Sequence, residues 1–155
     1  MQIINIKKDP SHIKQVAEWQ YKEWAYLCPG AGMEKFVERI ESSLSEDLIP
    51  STFLAIEGHQ LMGAAEIVAH DMDTHLNLGP WLASVYVAPE YRCKGVGRSL
   101  VKHVMQKAKE HNVETLYLFT PNNEAFYQNL GWNTLFKDEY YGQVVTLMQI
   151  ELSAI

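Results

Sequence analysis

In the stretch YRCKGVGRSL, residues 91–100, three cations surround two glycines: Arg92, Lys94 and Arg98 stand beside Gly95 and Gly97. The apolar run WLASVYVAPE precedes it, and VKHVMQKAKE, with apolar residues at helical spacing, follows. A helix that begins at Gly95 to Gly97 leaves its first N–H groups without internal partners, and its aligned peptide dipoles add partial positive charge there. Such an end attracts anions. Glycine lets the backbone approach a bulky phosphate closely, and the cations add full charges around it. A pyrophosphate is the natural guest. Spacing separates the known phosphate-binding designs. The P-loop pattern GxxxxGK[ST] is absent. The dinucleotide fingerprint GxGxxG is met by Gly95 and Gly97, but its third position falls on Leu100, too large for the close helix–strand contact that glycine permits. What remains is R-x-x-G-x-G, Arg92 to Gly97.

Two other constellations carry less. HDMDTH, residues 70–75, places histidine and aspartate close together. It lies in a polar, aperiodic segment without the fixed i, i+4 geometry of a helical metal motif, and no second cluster completes a ligand set, so no metal is expected. Cys93 sits inside the anion turn but has no histidine partner nearby, so it is expected to supply only a backbone amide.

The elements that must position the turn follow from periodicity. MQIINI reads as a strand, after which Asp9 offers an N-cap and Pro10 a first helical residue. Ile13, Val16, Ala17 and Tyr21 recur at helical spacing; after CPGAG, so do Met33, Phe36, Val37, Ile40 and Leu44. STFLAIEGHQLMGAAEIV reads as a hairpin around EGHQ, and AHDMDTHLNLG as a loop. WLASVYV, the helix from about Gly97 to Glu110 with inner face Val96, Leu100, Val101, Val104 and Ala108, and ETLYLF spell strand, crossover helix, strand. That order implies a parallel pair. NNEAFYQNLGW is a short helix closed by Gly131; TLFK and QVVTLMQIEL finish as strands. With 155 residues and 47% hydrophobic content, residues 1–155 are expected to form one domain. A net charge of −6 without blocks of like charge argues against a nucleic-acid partner. Two distant cysteines, Cys28 and Cys93, and the lack of an apolar leader or long apolar run predict a cytoplasmic protein with no membrane association.

VYVAPEYRCKGVGRSLV resembles the acyl-coenzyme A motif [RQ]-x-x-G-x-[GA] of the GNAT N-acetyltransferase superfamily. LYLFTPNNEAFYQNLGW is similar to that superfamily's strand and helix bearing F-Y and ending G-[FWY], and the order of elements matches from residue 1 to about 152. The resemblance implies an α/β fold: a mixed, strongly twisted sheet of six to seven strands, helices on both faces, and a central parallel pair, strands 81–87 and 114–119, that splays apart. Into that cleft the pantetheine arm of acetyl-CoA would insert along Val85, Tyr86 and Val87, the backbone of Val85 and Val87 pairing with its amides. The diphosphate would rest on amides of Arg92, Cys93, Lys94, Gly95, Val96, Gly97 and Arg98. Many relatives have an asparagine seven residues before the F-Y tyrosine, where this chain has Thr120; Asn122 or Asn123 stands in as the cofactor contact.

The implied reaction moves an acetyl group from acetyl-CoA to a primary amine, of a small molecule or a peptide N-terminus, by direct attack in a ternary complex. A strand N–H near Val85 would stabilise the oxyanion, a contribution of about 2.7–4 kcal/mol when well aimed. The leaving thiolate, by analogy with cysteine near about 8.5, is served by tyrosine near about 10, and the resemblance gives this role to Tyr127. For the proton of the amine, Glu66 is the nearest carboxylate, with His70, Asp71 and Asp73 behind it and a water route as alternative. Trp24, Tyr26, Trp81, Tyr140 and Tyr141 could line the acceptor pocket, from EWAYLCPGAG, the 69–80 loop and KDEYYGQ. Three rivals stay open: transfer of a longer acyl group, a non-catalytic acyl-CoA sensor, and a nucleotide-binding module. The oligomeric state is open too, a homodimer included.

Overall fold

The computed structural model describes residues 1–155, with the side chain of Ala154 outside the described atoms. In chain order the elements are β1 (Gln2–Asn5), α1 (Ile13–Trp24), α2 (Met33–Glu41), β2 (Ser51–Glu57), β3 (Gln60–Val68), β4 (Trp81–Val87), α3 (Val96–Glu110), β5 (Thr115–Thr120), α4 (Glu124–Gln128), β6 (Asn133–Tyr140) and β7 (Gln143–Glu151). The strands form one seven-stranded sheet in the order β1-β2-β3-β4-β5-β7-β6. Only β4 and β5 run parallel; the other neighbours are antiparallel. No helix among the described residues is long and apolar enough to cross a membrane.

Strand alternation distributes the helices. Along β2 and β3, Phe53 and Ala65 point to one face, Leu54 and Ala64 to the other. On the first face α3 buries Val96, Leu100, Val101, Val104 and Ala108, the stripe read from the sequence, with Met105 added. On the second, α1 brings Val16 and Ala17, and α2 brings Phe36 and Ile40. Complete burial of a side chain such as Leu100 stabilises by about 1.5–3 kcal/mol, so the sheet is held between two apolar layers.

Two local readings differ. The predicted helix start at Pro10 is a 3₁₀ turn, Pro10–His12, and α1 begins at Ile13. The Asp9 carboxylate does not cap the backbone; it accepts from the Ser11 hydroxyl at 2.5 Å and pairs with His12 at 3.1 Å. KDEYYGQ, expected as a covering segment, mostly extends β6, whose Lys137 and Tyr140 pair with Thr146 and Gln143. Tyr141 and Gly142, with φ of 47° and 79°, make the two-residue hairpin turn.

The feature that builds the site lies in β4. Glu66 faces Ala83 and Ala64 faces Tyr86, so Ser84 and Val85 together oppose Ala65 alone. This is a β-bulge, and Ser84 takes a φ of 53° in it. A bulged strand bends, and β4 parts from β5 beyond their one register point, Trp81 with Tyr117. There the Tyr117 N–H donates to the Pro80 carbonyl at 3.0 Å.

Candidate active site

The parting of β4 and β5 opens a cleft of about 660 Å³. Leu82 to Val87 form one wall, Leu118 to Asn123 the other; α3 closes one end and α1 with α2 the other. At the α3 end, the first intrahelical donor is Ser99, whose N–H reaches the Gly95 carbonyl at 3.0 Å. The amides of Val96, Gly97 and Arg98 therefore lack intrahelical partners, and all three residues line the cleft. Gly95, at the N-cap, has a φ of 83° that favours glycine. A Cβ on Gly97 would lie 3.5 Å from both Val87 Cγ2 and Phe126 Cζ, so the helix's first turn rests against the cleft walls.

The cations of the turn divide. Arg98 and Arg92 line the cleft; Lys94 does not. Arg92 Nε donates to the Val87 carbonyl at 2.8 Å, and its guanidinium lies 5.5 Å from the Tyr86 ring centroid. Arg92 thus braces the end of β4 against the turn. Cys93, with a φ of 62°, lines the cleft, as do Val85, Tyr86, Asn122 and Asn123. The Asn123 N–H donates to Thr120 Oγ1 at 3.0 Å, so Thr120 shapes the entry into α4.

Tyr127 lies on α4, 8% exposed, and lines the cleft where the walls diverge. Burial pushes its phenol well above the ordinary tyrosine value, so it stays protonated at neutral and moderately alkaline pH. Its ring stands edge-on to Phe126 and Trp132 at centroid distances of 5.0 and 6.2 Å.

The opposite end holds residues the sequence gave little hint of. Arg39 of α2 joins two carboxylates: Nη2 donates to Asp71 Oδ1 at 2.9 Å, and Nε stands 3.4 Å from Glu66 Oε1. Burial works against the Arg39 charge, but Glu66 and Asp71 outweigh it and hold the guanidinium above its ordinary value. Gln20, Glu23, Cys28, Arg39 and Asp71 line this end with Trp24, Tyr26 and Tyr140. Burial raises the Tyr26 phenol, and the Glu23 charge raises it further. Burial likewise pushes Tyr140 up to about 12.

Besides Lys94, the anticipated Glu66, Trp81 and Tyr141 are not brought to the cleft. Glu66 is 1% exposed and sits behind Arg39, with the Thr52 hydroxyl 3.5 Å from its second oxygen. Trp81 is fully buried in the core; Nε1 donates to the Leu78 carbonyl at 3.0 Å, because the 69–80 loop folds over it. Tyr141, at the hairpin turn, donates its hydroxyl to Asp73 at 2.6 Å. The HDMDTH acids and histidine engage separate elements: Asp71 pairs with Arg39, Asp73 with Tyr141, and His75 with Asp138 at 2.6 Å. Beside the aromatics Trp24, Tyr26 and Tyr140 named from the sequence, a glutamine on the α1 core stripe, Gln20, four after Val16, was a further sequence signal for the far end.

The sequence pattern of the acetyltransferase (GNAT) family matches residues 13–132. The chain belongs to this family. As a GNAT acetyltransferase it takes acetyl-CoA as co-substrate, and the free amides, the open strand pair and the open space at Gly95 fit coenzyme A. The GNAT fold recurs at low identity in solved structures. An aminoglycoside 6'-N-acetyltransferase complexed with coenzyme A matches with a TM-score of 0.75 and 15% identity over 98% of this chain and 97% of that one. A ribosomal-protein-alanine N-acetyltransferase from Brucella melitensis gives 0.75 and 16% over 97% and 99%. The yncA structure from Salmonella typhimurium, with its cofactor acetyl-CoA, gives 0.72 and 16% over 98% and 94%. No curated protein sequence matches the chain.

Proposed function

We propose that residues 1–155 act as one N-acetyltransferase domain that moves the acetyl group of acetyl-CoA to a primary amine by direct attack in a ternary complex. The observation that carries this reading is the position of Tyr127, a buried neutral phenol on the cleft wall where β4 and β5 part. The ammonium first gives a proton to water; the lone pair of the neutral amine then forms the new C–N bond, the C–S bond breaks, the departing sulfur takes the phenolic proton, and the proton released by the acylated nitrogen returns through water to the phenolate. The sulfur therefore leaves as the thiol, because its donor has kept its proton to the moment of transfer. The bulge at Ser84 and Val85 places irregular backbone on the same wall, where a strand N–H can meet the developing oxyanion. Amine acceptors are also named for the two enzymes above, an aminoglycoside and a ribosomal-protein alanine.

The test is Tyr127→Phe. Turnover with a panel of amines is expected to fall about 100-fold or more while coenzyme A affinity by calorimetry is unchanged. Coenzyme A binding without transfer to any amine by the unaltered protein would instead make the cleft a sensor.

A further inference from the structure

We propose that the α1–α2 end of the cleft is an acceptor subsite for a second ammonium group, so that the substrate carries at least two amines: one is acetylated and the other is held by Asp71 and Glu23. This rests on the amine-acetylation reading above and narrows its substrate class. The first ground is charge. Asp71 and, behind it, Glu66 share the single guanidinium of Arg39, and Glu23, which has no part in those pairs, lines the same end. Arg39 Nη2 engages only Oδ1 of Asp71. Asp71 Oδ2 has no hydrogen-bond partner among the described residues, and the side chain is 12% exposed, on the cleft wall. A carboxylate this far withdrawn from water, with one oxygen unengaged, favours a charged donor. At the other end of the same cleft the charges are reversed, with Arg92 and Arg98 beside the free amides of α3.

The second ground is independent of charge. Gln20 is 2% exposed and lines the same end, yet its Nε2 has no partner among the described residues. A buried amide without a partner is costly, which marks it as a group completed by a ligand. Gln20 Nε2 is a donor, so it calls for an acceptor oxygen on the substrate beside the second ammonium. Trp24, Tyr26 and Tyr140 supply aromatic walls, which suit an ammonium group with apolar carbons around it. A linear polyamine and an amino sugar share the second ammonium, and the amino sugar also brings an oxygen that can accept from Gln20.

Two probes that differ by one ammonium decide the matter: 1,5-diaminopentane and n-pentylamine. In titrations of the coenzyme A complex, the diamine is expected to bind about tenfold or more tightly than the monoamine. In turnover the same preference should appear in KM rather than kcat. Asp71→Asn and, separately, Glu23→Gln should bring the diamine down to the monoamine's level while leaving the monoamine and coenzyme A affinities as they were. Glu23 is exposed on α1 and outside the Arg39 pairs, so its variant reports even where Asp71→Asn fails to fold. Spermidine and a diamino sugar, compared next, separate the two sources. Equal binding of diamine and monoamine, equal loss of both in the variants, or preference for an alanine-start peptide over the diamine would overturn the subsite. Tight diamine binding without any transfer would support it and sink the amine-acetylation reading instead.

Discussion

The two ends of the cleft are made of different material. At the α3 end the groups offered to a ligand are main-chain amides of neighbouring residues, delivered together by one short stretch, Val96 to Arg98; the Arg92 amide, expected among them, donates instead to the Pro89 carbonyl at 3.3 Å. At the α1–α2 end they are side chains from α1, α2 and the loop after β3, and Arg39 meets Asp71 across 32 residues of chain. A backbone socket is sensitive to clearance and to φ. A side-chain socket is sensitive to charge, because each removed partner leaves another group uncompensated.

The largest effect should therefore come from Arg39→Met, which strands Glu66, 1% exposed, without its counter-charge. Urea unfolding should show a loss of about 3–5 kcal/mol, partly recovered when Glu66→Gln is added. A loss below about 1 kcal/mol would mean that the charged end is no more interdependent than an exposed pair. At the other end Gly97→Ala should weaken coenzyme A about 100-fold in calorimetry, roughly 2.7 kcal/mol, by filling the approach of the diphosphate. Its unfolding midpoint should barely move, since an added Cβ meets Val87 and Phe126 at an ordinary 3.5 Å. Gly95→Ala should do the reverse: about 1–2 kcal/mol lost in stability, because its φ of 83° strains any L side chain, with a smaller change in affinity.

The smallest effect concerns the junction of the two ends. Tyr127 is raised by burial, so above about pH 10 the unfolded chain releases a phenolic proton that the folded one keeps. The stability that Tyr127 contributes is complete below that pH and declines as pH rises, by at most about 1.4 kcal/mol per pH unit. Urea melts at about pH 9 and about pH 11 should show this slope in the unaltered protein and a shallower one in Tyr127→Phe.

The same contrast explains what the sequence disclosed. The α3 stripe from Val96 to Ala108, the strand order around it and the glycine turn are local patterns, written into consecutive residues. The parallel pair followed from them, and the seven strands fall within the six to seven expected. The bulge at Ser84 and Val85 is not local: it is a mismatch of register between β3 and β4, visible only once the strands are paired. Trp81 looked like a rim residue because aromatic character does not say which face a residue takes, and the loop that buries it has no periodicity to announce its path. Glu66 was the nearest carboxylate in sequence, but Arg39 draws it behind the wall and leaves Asp71 in the cleft. Nothing in the spacing of those three residues foretells their meeting.

Because β4 and β5 share a single rung, Trp81 with Tyr117, the sheet is two ladders, β1–β4 and β5–β7, stitched at one end. A pantetheine arm lying in the gap would complete the stitching, so the ligand would double as a missing strand. Deuterium uptake along Val85–Val87 and Leu118–Thr120 should then slow together when coenzyme A is added, although these segments belong to different ladders.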